Sequence, residues 1–195
     1  GDRGYRKIYG ATAPVLVPAA DPGFDARTLV RETSDGVRVC VYYPNAMIRE
    51  LERHPPQHGL FDGNVDGFAT LVEELDHLLC IAERVAEGRP VSLFELELHA
   101  NVSKHLVLSR FLAGTRSRLG AEHKTWLRYH LFEKGSFVDK EPGVRQRYRD
   151  ASRWGLRFLA TIERLPAPGR IQALRRFHRA GATAKTRLIQ RLAAT

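Results

Sequence analysis

SLFELELHANVSKHLVLSRFL, residues 92–112, decides how this chain folds. Leu93, Phe94, Leu96, Leu98, Ala100, Val102, Leu106, Val107, Leu108 and Phe111 recur all round a helical wheel and leave no wide polar face. A helix that is apolar on every side is normally a central one. Ser92 stands where an N-cap belongs, with Glu95 three residues on, the pattern of a capping box. The charges on such a helix need partners, because an ion taken out of water alone is costly. Glu97, Asn101 and Lys104 fall on one stripe, at i, i+4 and i+7. They are read as buried polar residues in an internal ion pair that fixes helix packing. A catalytic Lys or Glu is the alternative.

A central helix needs helices around it, and the flanking sequence supplies them. Residues 65–87 place Phe68, Leu71, Val72, Leu75, Leu78, Leu79, Ala82 and Val85 on one face, before Gly88 and Pro90 end the run. Residues 121–133 read as a further helix. Residues 142–165 carry an apolar seam of Val144, Tyr148, Ala151, Gly155, Phe158, Leu159, Ile162 and Leu165. After the breaker PAPG, helices are expected over 170–179 and 183–193, with Gly181 between them. Upstream, 27–33 and 37–43 are two β-prone runs around Ser34-Asp35-Gly36, a hairpin. Val37, Val39, Val41 and Tyr43 share one face of its second strand. Pro44 then opens a short helix over 45–53, which Pro55-Pro56 ends. Residues 1–26, rich in Gly, Pro and Ala, read as an extended arm. The expected fold is mainly α: one compact helical domain of about six helices over 27–195, with an N-terminal β-hairpin at 27–43 and basic C-terminal helices over 142–195.

Length and composition fit that reading. The chain has 195 residues, 43% hydrophobic and 27% charged, values of a globular chain rather than a disordered one. No apolar run approaches the ~20 residues of a membrane helix, and residues 1–18 hold no signal-peptide core of useful length. No membrane partner is expected. Cys40 and Cys80 are too few for a disulfide scaffold and lack CxxC spacing, which points to the cytoplasm.

The formal charge is +9, from 31 Lys+Arg against 22 Asp+Glu, and it is not evenly spread. Residues 1–141 are close to neutral. Residues 142–195 hold 13 Lys+Arg and, as acids, only Asp150 and Glu163. Arg145, Arg149, Arg153 and Arg157 recur every four residues opposite the apolar seam, and Arg164 continues the face. No acid stands four residues after any of them to neutralise the stripe, as happens on ordinary solvent-facing helices. Arg175, Arg176, Arg179, Lys185, Arg187 and Arg191 extend the basic region. Such a stripe can set guanidinium groups along a phosphate backbone. The expectation is a binding protein, leaning away from an enzyme, that engages nucleic acid electrostatically. An acidic protein partner for a scaffold or adaptor is the alternative. A helix-turn-helix reading of the last two helices fits poorly, because the final helix is short.

A metal-dependent enzyme is the third reading. Glu73 and His77 are spaced i, i+4 on one helix, and Glu95 and His99 repeat the spacing on the next. One turn brings carboxylate and imidazole to the same side, which is how helical bundles assemble metal sites. Glu73, His77, Glu95 and His130 are the candidate ligands, with Glu133 three residues beyond His130. Against this, Glu73 and His77 lie opposite the apolar face of their helix, where solvent is expected. His54 and His58 read as exposed, His130 as a packing residue beside Trp126, and His105 and His178 as lacking an obvious partner. No nucleophile triad, GxGxxG or Walker A sequence is present, no residue is assigned a catalytic role, and no cofactor is expected.

Four segments, LVEELDHLL, SLFELELHANVSKHL, RYRDASRWGLRFL and LRRFHRAGATAKTRLI, together resemble an uncharacterised bacterial protein family of no known activity. The resemblance spans roughly residues 27–190. It implies that Glu73, His77, Glu95, Glu97, Lys104, Arg147 and Tyr148 are matching positions, with His99 a departure, and it transfers no activity.

Overall fold

The computed structural model describes residues 6–7, 26–34, 36–114, 119–134 and 142–194. Strands β1 (Arg6–Lys7), β2 (Arg27–Thr33) and β3 (Gly36–Tyr42) form an antiparallel sheet in that order. Thr33 pairs with Gly36 to close the expected hairpin, and Gly36 takes φ 144°, which a side chain would resist. Apart from Arg6–Lys7 and Ala26, the arm expected over 1–26 lies outside the described residues, as do Asp35 and the loop over 135–141.

Helices dominate the rest, so the chain is mainly α with an N-terminal hairpin. They are α1 (Asn45–Arg53), α2 (Val65–Ala86), α3 (Leu93–Ala113), α4 (Ala121–Arg128), α5 (Pro142–Glu163), α6 (Ala167–Arg179) and α7 (Ala182–Ala193). A π-helical turn, Tyr129–Glu133, prolongs α4. Helix α6 starts three residues earlier than expected, because Pro166 is extended and a proline suits the first turn. Ser92 caps α3 by accepting from the Glu95 backbone N–H at 3.1 Å. The Glu95 side chain does not return to Ser92; it turns into the interior, so the capping box is half made.

Helix α3 is the central element, with every residue from 95 to 102 buried. Its Leu98 and Val102 join Ala151, Phe158, Leu159 and Ile162 of α5, Ala173 and Phe177 of α6, and Ile189 of α7 in the largest apolar cluster. Phe158 and Phe177 stack with centroids 4.4 Å apart. Helices α3 and α5 approach closely at Gly155, where a Cβ would lie 3.3 Å from that of Asn101. A second cluster joins Leu51, Val65, Phe68, Leu108 and Leu127, and a third sets Cys80, Ile81 and Leu96 against Val30 and Val39 of the hairpin.

Helix α2 departs from expectation. Its first turns follow the apolar face, with Phe68 buried. Further on the rule inverts: Glu74, Asp76, His77, Cys80 and Arg84 are buried, while Leu75, Leu79 and Val85 are exposed. The expected solvent face is the packed face, because α3, β2 and the α6–α7 turn supply polar partners for it.

Candidate functional site

Three hydrogen-bonded groups fill the polar layer between α2 and its neighbours. The first centres on Glu95. Its Oε1 accepts from Arg84 Nε and Nη2 at 3.0 and 2.9 Å and from Lys185 Nζ at 3.0 Å. Its Oε2 accepts from the Ala182 backbone N–H at 3.2 Å. Arg84 also donates to the carbonyls of His178 and Ala180, and Lys185 to that of Ala180. Helices α2 and α3 are thereby locked to the α6–α7 turn. Burial pushes the Glu95 carboxyl up, but Lys185 and Arg84 outweigh it and hold the carboxyl below its ordinary range. Burial pulls the Lys185 ammonium down, and Glu95 offsets only part of this.

The second group is a chain of four side chains running from the interior to the surface. Asp76 Oδ2 lies 2.8 Å from His99 Nδ1, His99 Nε2 is 3.0 Å from His178 Nδ1, and His178 Nε2 is 3.1 Å from Glu83 Oε2. Burial raises Asp76, yet hydrogen bonds from His99 and Ser103 leave it below the usual carboxylate range. His178 therefore has two partners, where the sequence offered none.

The third group surrounds His77, which has no solvent exposure. Glu73, His77 and Glu97 each bring a ligand atom within 4.8 Å of the others. Lys104 Nζ donates to Glu73 Oε2 at 2.8 Å, and His77 Nδ1 lies 3.8 Å from Glu74 Oε2. Thr28 Oγ1 donates to that same Glu74 oxygen at 2.6 Å. Burial opposes charge on His77, but the Glu74 carboxylate and the nearby Glu73 and Glu97 carboxylates raise its pKa. Glu73 is pushed up by burial and pulled further down by Lys104 and His77.

The expected ligand set is corrected accordingly. Glu73 and His77 meet, but their third companion is Glu97. Glu95 is committed to Arg84 and Lys185. His130 stands against Asp62 and Asp66 at 3.1 and 3.3 Å, beside the Trp126 ring. Glu97, Asn101 and Lys104 are buried as expected, although the carboxylate that Lys104 pairs with is Glu73. No local spacing marks Asp76, Glu83, Arg84 and His178 as a polar network, because the partners that join them lie on other elements. Cys80 is buried and its thiol is pushed up to about 11, chiefly by burial, while Cys40 is exposed.

The arginines of α5 lie on the other side of the molecule's central packing. Arg149, Arg153 and Arg157 are exposed and Arg145 is half-buried, opposite the buried Val144, Ala151, Phe158 and Ile162. Arg175, Arg176, Arg179, Arg187 and Arg191 are exposed on α6 and α7. Lys185 is not part of this surface: it is fully buried against Glu95, because its place on α7 faces the same core as Ile189. Both acids of the region are engaged elsewhere. Asp150 accepts from Gln146 at 3.0 Å, and Glu163 pairs with Lys124.

No family model, curated protein or solved structure matches this chain. Among the described residues, no helix is long and apolar enough to cross a membrane.

Proposed function

We propose that the protein binds nucleic acid electrostatically through Arg145, Arg149, Arg153 and Arg157 of α5, with Arg175, Arg176, Arg179 and Arg187 extending the surface. One observation carries this reading. Among the described residues, none of these eight side chains forms an ion pair, although the buried Arg84 and Lys185 are fully engaged. Arginines repeated once per turn with one acid, Asp150, among them repel one another, and a polyanion relieves that repulsion. The guanidinium fork also matches phosphate oxygens in pairs. Arg157 lies over the Trp154 ring at 5.7 Å, which orders one guanidinium on the face.

Fluorescence anisotropy with generic duplex DNA and single-stranded RNA, across a salt series, tests the reading. Binding is expected at low salt, with log K falling by about 0.9 per neutralised phosphate for each decade of salt on duplex DNA. The triple variant Arg149→Gln/Arg153→Gln/Arg157→Gln should flatten that slope by about 3 if each contacts a phosphate. Folded protein that binds neither polymer at low salt would overturn the proposal. Salt-sensitive capture of an acidic protein in its place would assign the same face to an adaptor.

A further inference from the structure

The His77 group contains the parts of a metal centre, independently of the arginine face. Two carboxylates and an imidazole suit a first-row divalent ion. Donors about 2.1 Å from a tetrahedral ion stand about 3.4 Å from one another. The donor atoms of Glu73, His77 and Glu97 lie within 4.8 Å of one another, so side-chain closure of up to about 1.4 Å, within reach of a rotamer adjustment, brings them onto one ion.

Three further features separate this cluster from a chance meeting of acids. Two donors come from adjacent turns of α2 and the third from the second turn of α3, so rigid helices set their positions. The imidazole has an outer carboxylate: Glu74 Oε2 is 3.8 Å from His77 Nδ1 and is fixed by Thr28 at 2.6 Å. Outer carboxylates of this kind orient ligating histidines and set their tautomer. The cluster also reaches toward solvent at one residue, since His77 and Glu97 are buried but the Glu73 side chain is 23% exposed. A carboxylate has two oxygens, so Glu73 can keep Lys104 on one while offering the other.

We propose that Glu73, His77 and Glu97 bind one divalent transition-metal ion of the Mn(II)–Zn(II) series between α2 and α3. Three protein donors leave coordination positions for water, and Lys104, already on Glu73, stands beside them as a hydrogen-bond donor.

The test uses the whole chain, stripped with chelator and then given Mn(II), Co(II) or Zn(II). About one ion per chain should survive desalting, and the melting temperature should rise with added metal. Glu73→Gln, at a partly exposed position, should keep its circular dichroism spectrum and lose at least about tenfold in affinity, the usual size of a lost ligand or outer-shell contact. His77→Gln should abolish retention; because His77 is fully buried, a second readout needs no variant. Mn(II) added to the wild-type chain should broaden the His77 ring protons ahead of those of His130. Failure to retain any of the three ions, retention unchanged in Glu73→Gln, or broadening centred on His130 would overturn the proposal.

Discussion

Arg84 and Lys185 lie in the interior with Glu95 between them, whereas Arg149, Arg153 and Arg157 lie outside and, among the described residues, form no ion pair. The two sets of cations obey different physics. A buried ion without a partner costs several kcal/mol, so the interior ones are positioned by at least one carboxylate and several carbonyls. An exposed guanidinium is hydrated and costs little unpaired, so sequence drift or a ligand is what sets its position. Interior charge in this protein is therefore part of the packing, and surface charge is available for binding.

Removing the shared carboxylate should break the contrast most severely. Glu95→Leu leaves Lys185 buried without its counter-ion and Arg84 with only Glu87 and Glu83, at 3.3 and 3.8 Å, and is expected to cost about 3–5 kcal/mol, seen as a large fall in the urea midpoint or as failure to fold. Replacing the three residues together, as Arg84→Met/Glu95→Leu/Lys185→Met, should recover part of that loss. A triple variant no better than Glu95→Leu would mean that the Arg84 bonds to the turn carbonyls matter more than the ion pairs.

A smaller effect is expected from His105. The residue is half-buried, and among the described residues its buried Nδ1 has no hydrogen-bond partner. Burial lowers its pKa below the ordinary value of 6.5, the Glu163 carboxylate offsetting part of this and Lys124 adding to it. Below that value the unfolded chain takes up a proton that the folded chain resists. Stability should thus be fully present above about pH 6.5 and fall as the pH drops through the folded-state pKa. Replacing the ring with a neutral one, His105→Phe, should flatten the slope between pH 7 and 5 in thermal melts. An unchanged slope would assign the acid sensitivity to other groups.

The smallest effect belongs to the surface. Arg149→Gln, Arg153→Gln and Arg157→Gln should each shift stability by no more than about 0.5 kcal/mol while weakening polyanion binding. If any of them destabilises the fold as strongly as an interior change, the division between packing charge and binding charge fails.

Much of the fold could be read along the chain. Local signals such as Ser92 at a cap, Pro44 and Pro142 at helix starts, and the 142–165 seam act within a few residues, and the elements stand where they point. Glu73 and His77 are one turn apart, so their meeting is local and legible for the same reason. Glu97 was placed as a buried structural residue, and nothing within a turn of it shows that it closes on α2. Lys185 was counted as surface charge because a lysine in a basic tail resembles its neighbours. Glu95, its partner, is ninety residues away in the chain.

The sequence by itself determined the helical class, the hairpin, the buried course of α3 and the one-sided arginine seam of α5. Each follows from periodicity or from a breaker acting over a few residues. Tertiary structure alone decided that α2 packs with its charged side inward. A polar face can be buried when other elements satisfy every group on it, and those elements, Thr28 of β2, α3 and the α6–α7 turn, meet it only when the chain has folded.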